Sequence, residues 1–437
     1  MTAERAALII LLRVTRDGAY LNLAVKEELS SVSEDDRARV SALVYTTVEH
    51  LGYCDFLIEK YARGRLHSSV RAVLRLATAE MFFMDAPDYA VCSRAVSLVA
   101  EAGKPQLKGY VNAVLRSIAR DKAAGSLPAL PSDFISRMEI LSGYPSFVIS
   151  EYKDRFGEEF AESMLTARPG GVTLRAVRPT TADELICAFE ARGISAGKSG
   201  LVPFAVKTDG MSGSVADDPL FKAGKYTVQS ESAMLAVVCL DPQPGDYVLD
   251  ACAAPGGKTA LIAELMEDRG SVTAWDIHPH RVELIKNTLE RLGVTCAVCE
   301  THNASLPDPS LAARFDRILL DVPCSGLLGS SKPDARYRRT DEGIEELSHV
   351  QRAILEASCG MLKPGGVMVY STCTVSLREN EAVVDAFLQE HPEFSPVPLS
   401  AYLPESFGER GRNGYLQLFP NTDDTEGFFI AKLVRRA

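Results

Sequence analysis

The chain has 437 residues, 46% of them hydrophobic and 24% charged, with ten cysteines and a formal net charge of −11. That length suits roughly three domains of about 150 residues each, and the composition supplies an ordinary globular core. The negative total excludes a protein that coats nucleic acid by bulk charge, although a local basic groove survives it.

No apolar run approaches the ~20 residues of a membrane span. Residues 6–12 are apolar, but they follow Glu4 and Arg5 and lack a small-residue cleavage site, so no signal peptide is expected. Cysteines in this number without an export signal point to reduced thiols in the cytoplasm.

Residues 1 to about 125 read as all-helical. Apolar residues recur at helical spacing in Leu43, Val44 and Val48, in Val70, Val73, Leu74 and Ala77, and in Val111, Val114, Leu115 and Ile118. Lys104, Lys108, Arg116 and Arg120 fall at multiples of four beside Pro105, which predicts one cationic stripe, either a solvated face or an RNA-facing one. Residues 125–131, Gly-Ser-Leu-Pro-Ala-Leu-Pro, read as a linker. From 132 to 225 the pattern is mixed, with a helix at 146–156, a strand at 172–177 and a helix at 182–192. This predicts a small α+β domain.

From 226 onward strands and helices alternate. Strands are expected at 247–250, 271–276, 295–299, 314–321, 367–372 and 427–434, with helices at 258–266, 280–292, 348–361 and 379–389. Cys296 and Cys299 form a lone C-x-x-C with only His302 nearby, so ordinary packing is expected and no metal site.

Three loops in this region carry chemistry. Asp250-Ala251-Cys252-Ala253-Ala254-Pro255-Gly256-Gly257-Lys258-Thr259 is a glycine turn between a strand and a helix. It is not a Walker loop, because Cys252 stands where that motif needs glycine. Small residues there let a ligand approach the N–H groups at a helix start. Asp276, at the next strand end, suits a ribose diol, with a helix cap as the plainer alternative. Turn, acid and sheet together suit S-adenosyl-L-methionine better than ATP. The other two loops carry cysteines after apolar strands, Cys324 in Asp321-Val322-Pro323-Cys324-Ser325-Gly326 and Cys373 in Thr372-Cys373-Thr374. Loops at the carboxyl ends of parallel strands converge on one crevice, which would bring the two thiols and the glycine turn together.

On these residues the chain resembles the RsmB (Sun/Fmu, NSUN) family of RNA cytosine-5 methyltransferases. Its first 125 residues resemble the antitermination factor NusB, notably in Lys104-Pro-Gln-Leu-Lys-Gly-Tyr-Val-Asn-Ala-Val-Leu-Arg116. The resemblance implies three domains: an all-α NusB-like RNA-binding domain (1–125), a small α+β domain (132–225), and an α/β Rossmann-like methyltransferase domain (226–437). It also implies a cofactor site formed by Cys252, Ala253, Ala254, Pro255, Gly256, Gly257, Lys258, Asp276, Asn303 and Asp321. Asn303 stands where relatives carry an acid near the adenine. Residues 328–331, Leu-Gly-Ser-Ser, stand where relatives often carry basic ones, whereas Lys332-Pro333-Asp334 and Arg336-Tyr337-Arg338-Arg339 keep a basic, aromatic character suited to phosphates and a splayed base.

Cytosine carbon 5 is a poor nucleophile, and a thiolate added at carbon 6 activates it by covalent catalysis. The resemblance gives the attack to Cys373 and product release to Cys324, an order that chemistry alone does not fix. Asp321 in its acid form would share a proton with ring nitrogen 3. The expected substrate is 16S rRNA or an early small-subunit assembly intermediate, met by a cytoplasmic monomer without membrane contact. Two rivals remain open at this point. DNA cytosine methylation leaves Cys373 unexplained. A NusB-like RNA-binding scaffold with a non-catalytic second half leaves Cys324, Cys373, Asp321 and Gly256-Gly257 unexplained.

Overall fold

A computed structural model describes every residue except 210, 212–214 and 329–332. The chain divides into two compact units. One is Met1–Ala167 with a return segment around 333–339, and the other is Arg168–Ser330 with Thr340–Ala437.

The first unit is helical, with α1 (Ala3–Thr15), α2 (Leu21–Leu29), α3 (Glu34–Glu49), α4 (Leu51–Tyr61), α5 (Ser68–Phe83), α6 (Asp88–Glu101), α7 (Lys108–Ala123), α8 (Phe134–Ser142), α9 (Ser146–Phe156) and α10 (Glu158–Thr166). The Thr2 side chain caps α1 by accepting the Arg5 N–H. The helix then buries Ala6, Ala7, Ile10 and Leu11 on one face, against α3 and α5. Val111, Val114, Leu115 and Ile118 of α7 close the same core. Lys104 lies ahead of α7, because Pro105–Leu107 forms a separate tight turn before the helix begins at Lys108.

The second unit opens with a small antiparallel sheet of β1 (Val172–Ala176), β2 (Ser195–Lys198), β3 (Ala205–Asp209) and β4 (Tyr226–Val228), ordered β2-β3-β1-β4. Helix α11 (Ala182–Glu190) packs on it through Leu185 and Phe189, and α12 (Pro219–Lys222) precedes β4.

The larger sheet alternates with helices in chain order. Its elements are α13 (Glu231–Leu240), β5 (Tyr247–Asp250), α14 (Gly257–Leu265), β6 (Ser271–Asp276), α15 (Pro279–Arg291), β7 (Ala297–Thr301) and β8 (Phe315–Asp321). After α16 (Ala335–Arg338), a single turn belonging to the first unit, come α17 (Asp341–Cys359), β9 (Leu362–Thr372), α18 (Glu381–Glu390), β10 (Phe394–Pro396), β11 (Tyr415–Leu418) and β12 (Phe428–Arg435). The strand order is β10-β12-β9-β8-β5-β6-β7, with β11 also on β12. β5 through β9 run parallel, and β12 is antiparallel to β9. Strand succession therefore reverses direction between β5 and β8, the switch point outside which ligands bind in such sheets. Trp275, Phe315, Tyr370 and Phe429 are buried in the layers around it.

Several expected elements shift: β9 starts five residues earlier than the sequence pattern indicates, and α18 starts two later. β7 starts two residues later than the sequence pattern indicates. α17 starts seven residues earlier, because the Thr340 side chain accepts the Gly343 N–H and Asp341 and Glu342 occupy the positive first turn. β10 and β11 are short edge strands that no alternation announces. Among the described residues, no helix is long and apolar enough to cross a membrane.

Candidate active site

The two cysteine loops leave neighbouring strands. β8 and β9 pair in parallel with Asp321 opposite Ser371, so the residues that follow emerge side by side. The Val322 N–H donates to the Ser371 carbonyl at 3.1 Å and extends the pairing one step beyond the strands. Cys324 Sγ then lies 3.1 Å from Cys373 Sγ, and the Cys373 N–H points at Cys324 Sγ from 3.3 Å. The Cys324 thiol is pushed well above its ordinary range, first by its hydrogen bond to Cys373, then by burial, with the negative charge of Glu379 adding to both.

The third loop meets them through an ion pair. Lys258 Nζ lies 2.7 Å from Asp321 Oδ2, and the Ser371 hydroxyl donates to Asp321 Oδ1 at 3.0 Å. Burial disfavours charge on Lys258, but Asp321 outweighs it and the ammonium is strengthened. For Asp321 to face a pyrimidine nitrogen as an acid, it must exchange the Lys258 contact for the base.

The glycine turn fits a bound nucleoside. Gly256 sits at φ +100°, with Ile285 Cα 3.1 Å from where a Cβ would stand, so a side chain is excluded by both backbone and neighbour. Gly257 opens α14, whose first N–H groups have no acceptor within the helix. The Ala253 N–H donates to the Trp275 carbonyl at 2.8 Å and fastens the turn to β6. Ala254–Pro255 is a cis peptide, with Pro255 exposed. Cys252 packs half-buried against the core under β5, and burial pushes its thiol up. Below the turn Asp250 is fully buried, accepts the Thr259 hydroxyl at 2.7 Å, and is pushed up to about 6 by burial.

Asp276 is buried at the end of β6, where Oδ1 accepts the His278 N–H at 3.0 Å and Oδ2 pairs with Arg281 at 3.1 Å. A carboxylate oxygen has two lone pairs, so room for a diol remains. Asn303 Oδ1 accepts both the N–H and the hydroxyl of Ser305, at 3.1 and 2.7 Å. Its amide N–H₂ has no protein partner among the described residues and remains available as a donor.

Cys296 and Cys299 pack against different apolar clusters, while His302 stacks on Trp275 with ring centroids 3.8 Å apart. Among the described residues one trio of potential metal ligands, Glu356, Cys359 and His391, comes within 4.8 Å. There both nitrogens of His391 already face carboxylates, Glu356 at 2.6 Å and Glu393 at 3.2 Å.

The basic, aromatic segment departs from expectation. Arg336 is buried over the Tyr144 ring at 4.8 Å and donates to the Ser142 carbonyl at 3.1 Å. The Tyr337 ring closes over Gly143. Arg338 lies over the Tyr20 ring, donates to the carbonyls of Gly18 and Ala19, and pairs with Asp334. Arg336 and Arg338 are stacked and hydrogen-bonded inside the first unit rather than free for phosphates or a base, whereas Tyr337 keeps an exposed edge. Gly329 to Lys332 lie outside the described residues.

Ser325, Gln351, Ser371, Glu379 and Asn380, to which the sequence pattern assigns no role, are all buried and all bonded into the cysteine loops. Glu379 and Asn380 look like an ordinary helix start, polar residues ahead of an apolar helix.

Comparison with known proteins adds two family models: a model for 16S rRNA methyltransferase RsmB/F matches residues 237–434, and the NusB family model matches residues 1–120. The chain is 37% identical to the "Probable ribosomal RNA small subunit methyltransferase B" of Bacillus subtilis, covering 98% of both chains. It is 32% identical to the ribosomal RNA small subunit methyltransferase B of Serratia proteamaculans, covering 98% of this chain and 97% of the other. Among solved structures it resembles PH0851 with a TM-score of 0.81 at 27% identity, covering 100% of this chain and 99% of that one. A methyltransferase homologue from Pyrococcus horikoshii matches at 28% identity and a TM-score of 0.58, covering 70% of this chain and all of that one.

Proposed function

We propose, for a chain that belongs to the RsmB/F family of 16S rRNA methyltransferases and carries a NusB-family domain ahead of its catalytic half, that it methylates carbon 5 of a cytosine in 16S rRNA through a covalent cysteine adduct. S-adenosyl-L-methionine is the cofactor and supplies an electrophilic methyl group on a sulfonium sulfur. The residues that would hold it are the turn from Cys252 to Lys258, with Asp276 on the ribose, Asn303 donating near the adenine, and Asp321 beside the transferring group.

The observation that carries this reading is the pair of thiols 3.1 Å apart, in which Cys324 is pushed well above its ordinary range. With the Cys324 thiol raised in this way, Cys373 is left as the nucleophile. Its thiolate adds to carbon 6, forming a C–S bond and leaving carbon 5 nucleophilic. Asp321, having exchanged the Lys258 contact for the base, faces ring nitrogen 3 and offsets the charge that develops on the ring. After the methyl group is in place a base removes the proton on carbon 5, the C–S electron pair returns to Cys373, and Cys324 assists that departure.

The three parts, 1–125, 132–225 and 226–437, divide RNA binding from chemistry, with Lys108 and Arg116 on the RNA-facing side. The substrate is naked 16S rRNA or an early small-subunit assembly intermediate, and the enzyme acts as a cytoplasmic monomer.

The test uses the single-cysteine variants with labelled RNA on a denaturing gel. Cys373→Ala is expected to abolish methylation and form no adduct. Cys324→Ala is expected to stall after methyl transfer, giving a slow, protease-sensitive band. The opposite pattern exchanges the two roles, and intact methylation without an adduct in both variants removes the covalent mechanism.

A further inference from the structure

Two consecutive residues outside the cysteine loops hold both of them. Glu379 and Asn380 precede α18 and are completely buried. Glu379 Oε1 accepts the Ser325 N–H at 2.7 Å and Gln351 Nε2 at 3.0 Å. Gln351 Nε2 also donates to the Pro323 carbonyl at 2.9 Å. The residues on either side of Cys324 are therefore fastened to one carboxylate.

Asn380 does the same for the other loop. Its Oδ1 accepts the Thr372 hydroxyl at 2.5 Å and its Nδ2 donates to the Thr374 carbonyl at 3.0 Å, the residues on either side of Cys373. Nδ2 also donates to Gln417 Oε1 at 3.0 Å, and the Tyr370 hydroxyl donates to the Glu379 carbonyl at 2.5 Å, so the pair is fixed from the sheet below. The Ser325 hydroxyl donates to Thr374 Oγ1 at 3.1 Å and joins the loops directly.

Because Glu379 and Asn380 share a peptide bond, their Cα atoms are about 3.8 Å apart whatever the loops do. Each side chain captures the flanks of one cysteine, so that fixed spacing is transmitted to the two sulfurs. We propose that Glu379 and Asn380 are positioning residues that set the separation of Cys324 and Cys373. The inference rests on the two-cysteine reading above for its consequence in catalysis, but not for its geometry.

The experiment reads geometry and turnover separately on the full-length protein. A trivalent arsenical, phenylarsine oxide, condenses with two adjacent thiols, forming two As–S bonds with loss of one water. Peptide mapping of the resting enzyme is expected to find it bridging Cys324 and Cys373, with Cys324→Ser as the unbridged control. Glu379→Ala and Asn380→Ala are each expected to slow capture about tenfold and to lower kcat about a hundredfold, with KM for S-adenosyl-L-methionine unchanged. Glu379→Gln keeps an acceptor oxygen and is expected to recover most of both. Asn380→Asp keeps the shape but places an acceptor against the Thr374 carbonyl and Gln417, and is expected to stay impaired.

These isosteric variants decide the question if the alanine variants fail to fold, as judged by Trp275 emission. Capture at the parental rate in Asn380→Asp, with methylation lost or kept, overturns the positioning role and leaves the covalent reading standing. Slowed capture in an enzyme that never forms an RNA adduct supports the positioning role and sinks the covalent reading alone.

Discussion

Asp250 gives a stability prediction with a definite sign. Its carboxyl is fully buried, has one hydrogen bond from Thr259, leaves Oδ1 without a partner among the described residues, and titrates near 6 against an ordinary 3.8. The folded state therefore binds this proton more tightly than the unfolded chain does. Raising the pH from below 4 to above 6 removes a proton that favoured folding, so stability contributed by this group falls across that window and stays low above it. A shift of about two units at 1.36 kcal/mol each amounts to about 3 kcal/mol. Asp250→Asn imitates the neutral form and does not titrate. Its constant offset, whatever its sign, cancels when the difference between parent and variant is followed against pH. That difference should move by about 3 kcal/mol in favour of the variant between pH 4 and pH 7. With a urea m-value of about 2 kcal/mol/M, the midpoints should separate by about 1.5 M more at the higher pH. The sole tryptophan, Trp275, lies buried on β6 next to β5 and reports unfolding of this sheet. A midpoint difference that stays constant from pH 4 to 7 would refute the reasoning.

Other substitutions test the remaining assignments. Asp276→Ala should weaken S-adenosyl-L-methionine binding at least tenfold in calorimetry on the full chain, from loss of charge-assisted hydrogen bonds worth about 1.5–3 kcal/mol; equal affinity removes Asp276 from the ribose. Arg281→Ala should weaken it much less than Asp276→Ala does, since it frees Asp276 Oδ2 and removes only a 3.5 Å contact to the Ala254 carbonyl of the turn. Lys108 and Arg116 line a groove of about 640 Å³ with the exposed Tyr89, so their double alanine variant should lower the log–log salt slope of RNA binding by about 1.4 for a single strand. Arg120→Ala should change it little, because that side chain pairs with Asp121. Arg336→Ala should lower the stability of the first unit by about 3 kcal/mol through loss of a buried hydrogen bond and a stacked cation. Unchanged thermal unfolding combined with weaker RNA binding would instead return Arg336 to an RNA-facing role.

What could be read from the sequence was what the local backbone constrains. A cysteine after a buried strand and glycines at a positive-φ turn before a helix are set by residues within a few positions of one another. The adjacency of β8 and β9 is not, since α17 intervenes, so the sequence indicated a shared crevice but not a 3.1 Å contact. Arg336, Tyr337 and Arg338 show the limit from the other side. A guanidinium stacks on an intramolecular ring by the same attraction that would hold it over a base, so composition does not reveal which partner it has. Glu379 and Asn380 carried no signal for a related reason. Polar residues ahead of an apolar helix ordinarily face water, and only the tertiary fold seals these two beneath the cysteine loops.

That contrast bears on how the site works. In the proposed mechanism the reacting groups sit on short loops, whereas the groups that hold them are buried in the sheet and just ahead of α18. Burying a carboxylate such as Glu379 is costly unless it is hydrogen-bonded. Here its bonds go to a main-chain N–H and to an amide that is itself tied to a main-chain carbonyl. Such an arrangement specifies the position of the Cys324 loop more strictly than apolar packing would, because moving the loop leaves a buried carboxyl without its donors. Lys258 and Asp321 follow the same logic on the cofactor side. Each is the other's charge partner until a base enters. If Asp321 faces the pyrimidine as proposed, entry of the base must supply what their separation removes, and a base unable to replace the Lys258 contact leaves the acid occupied.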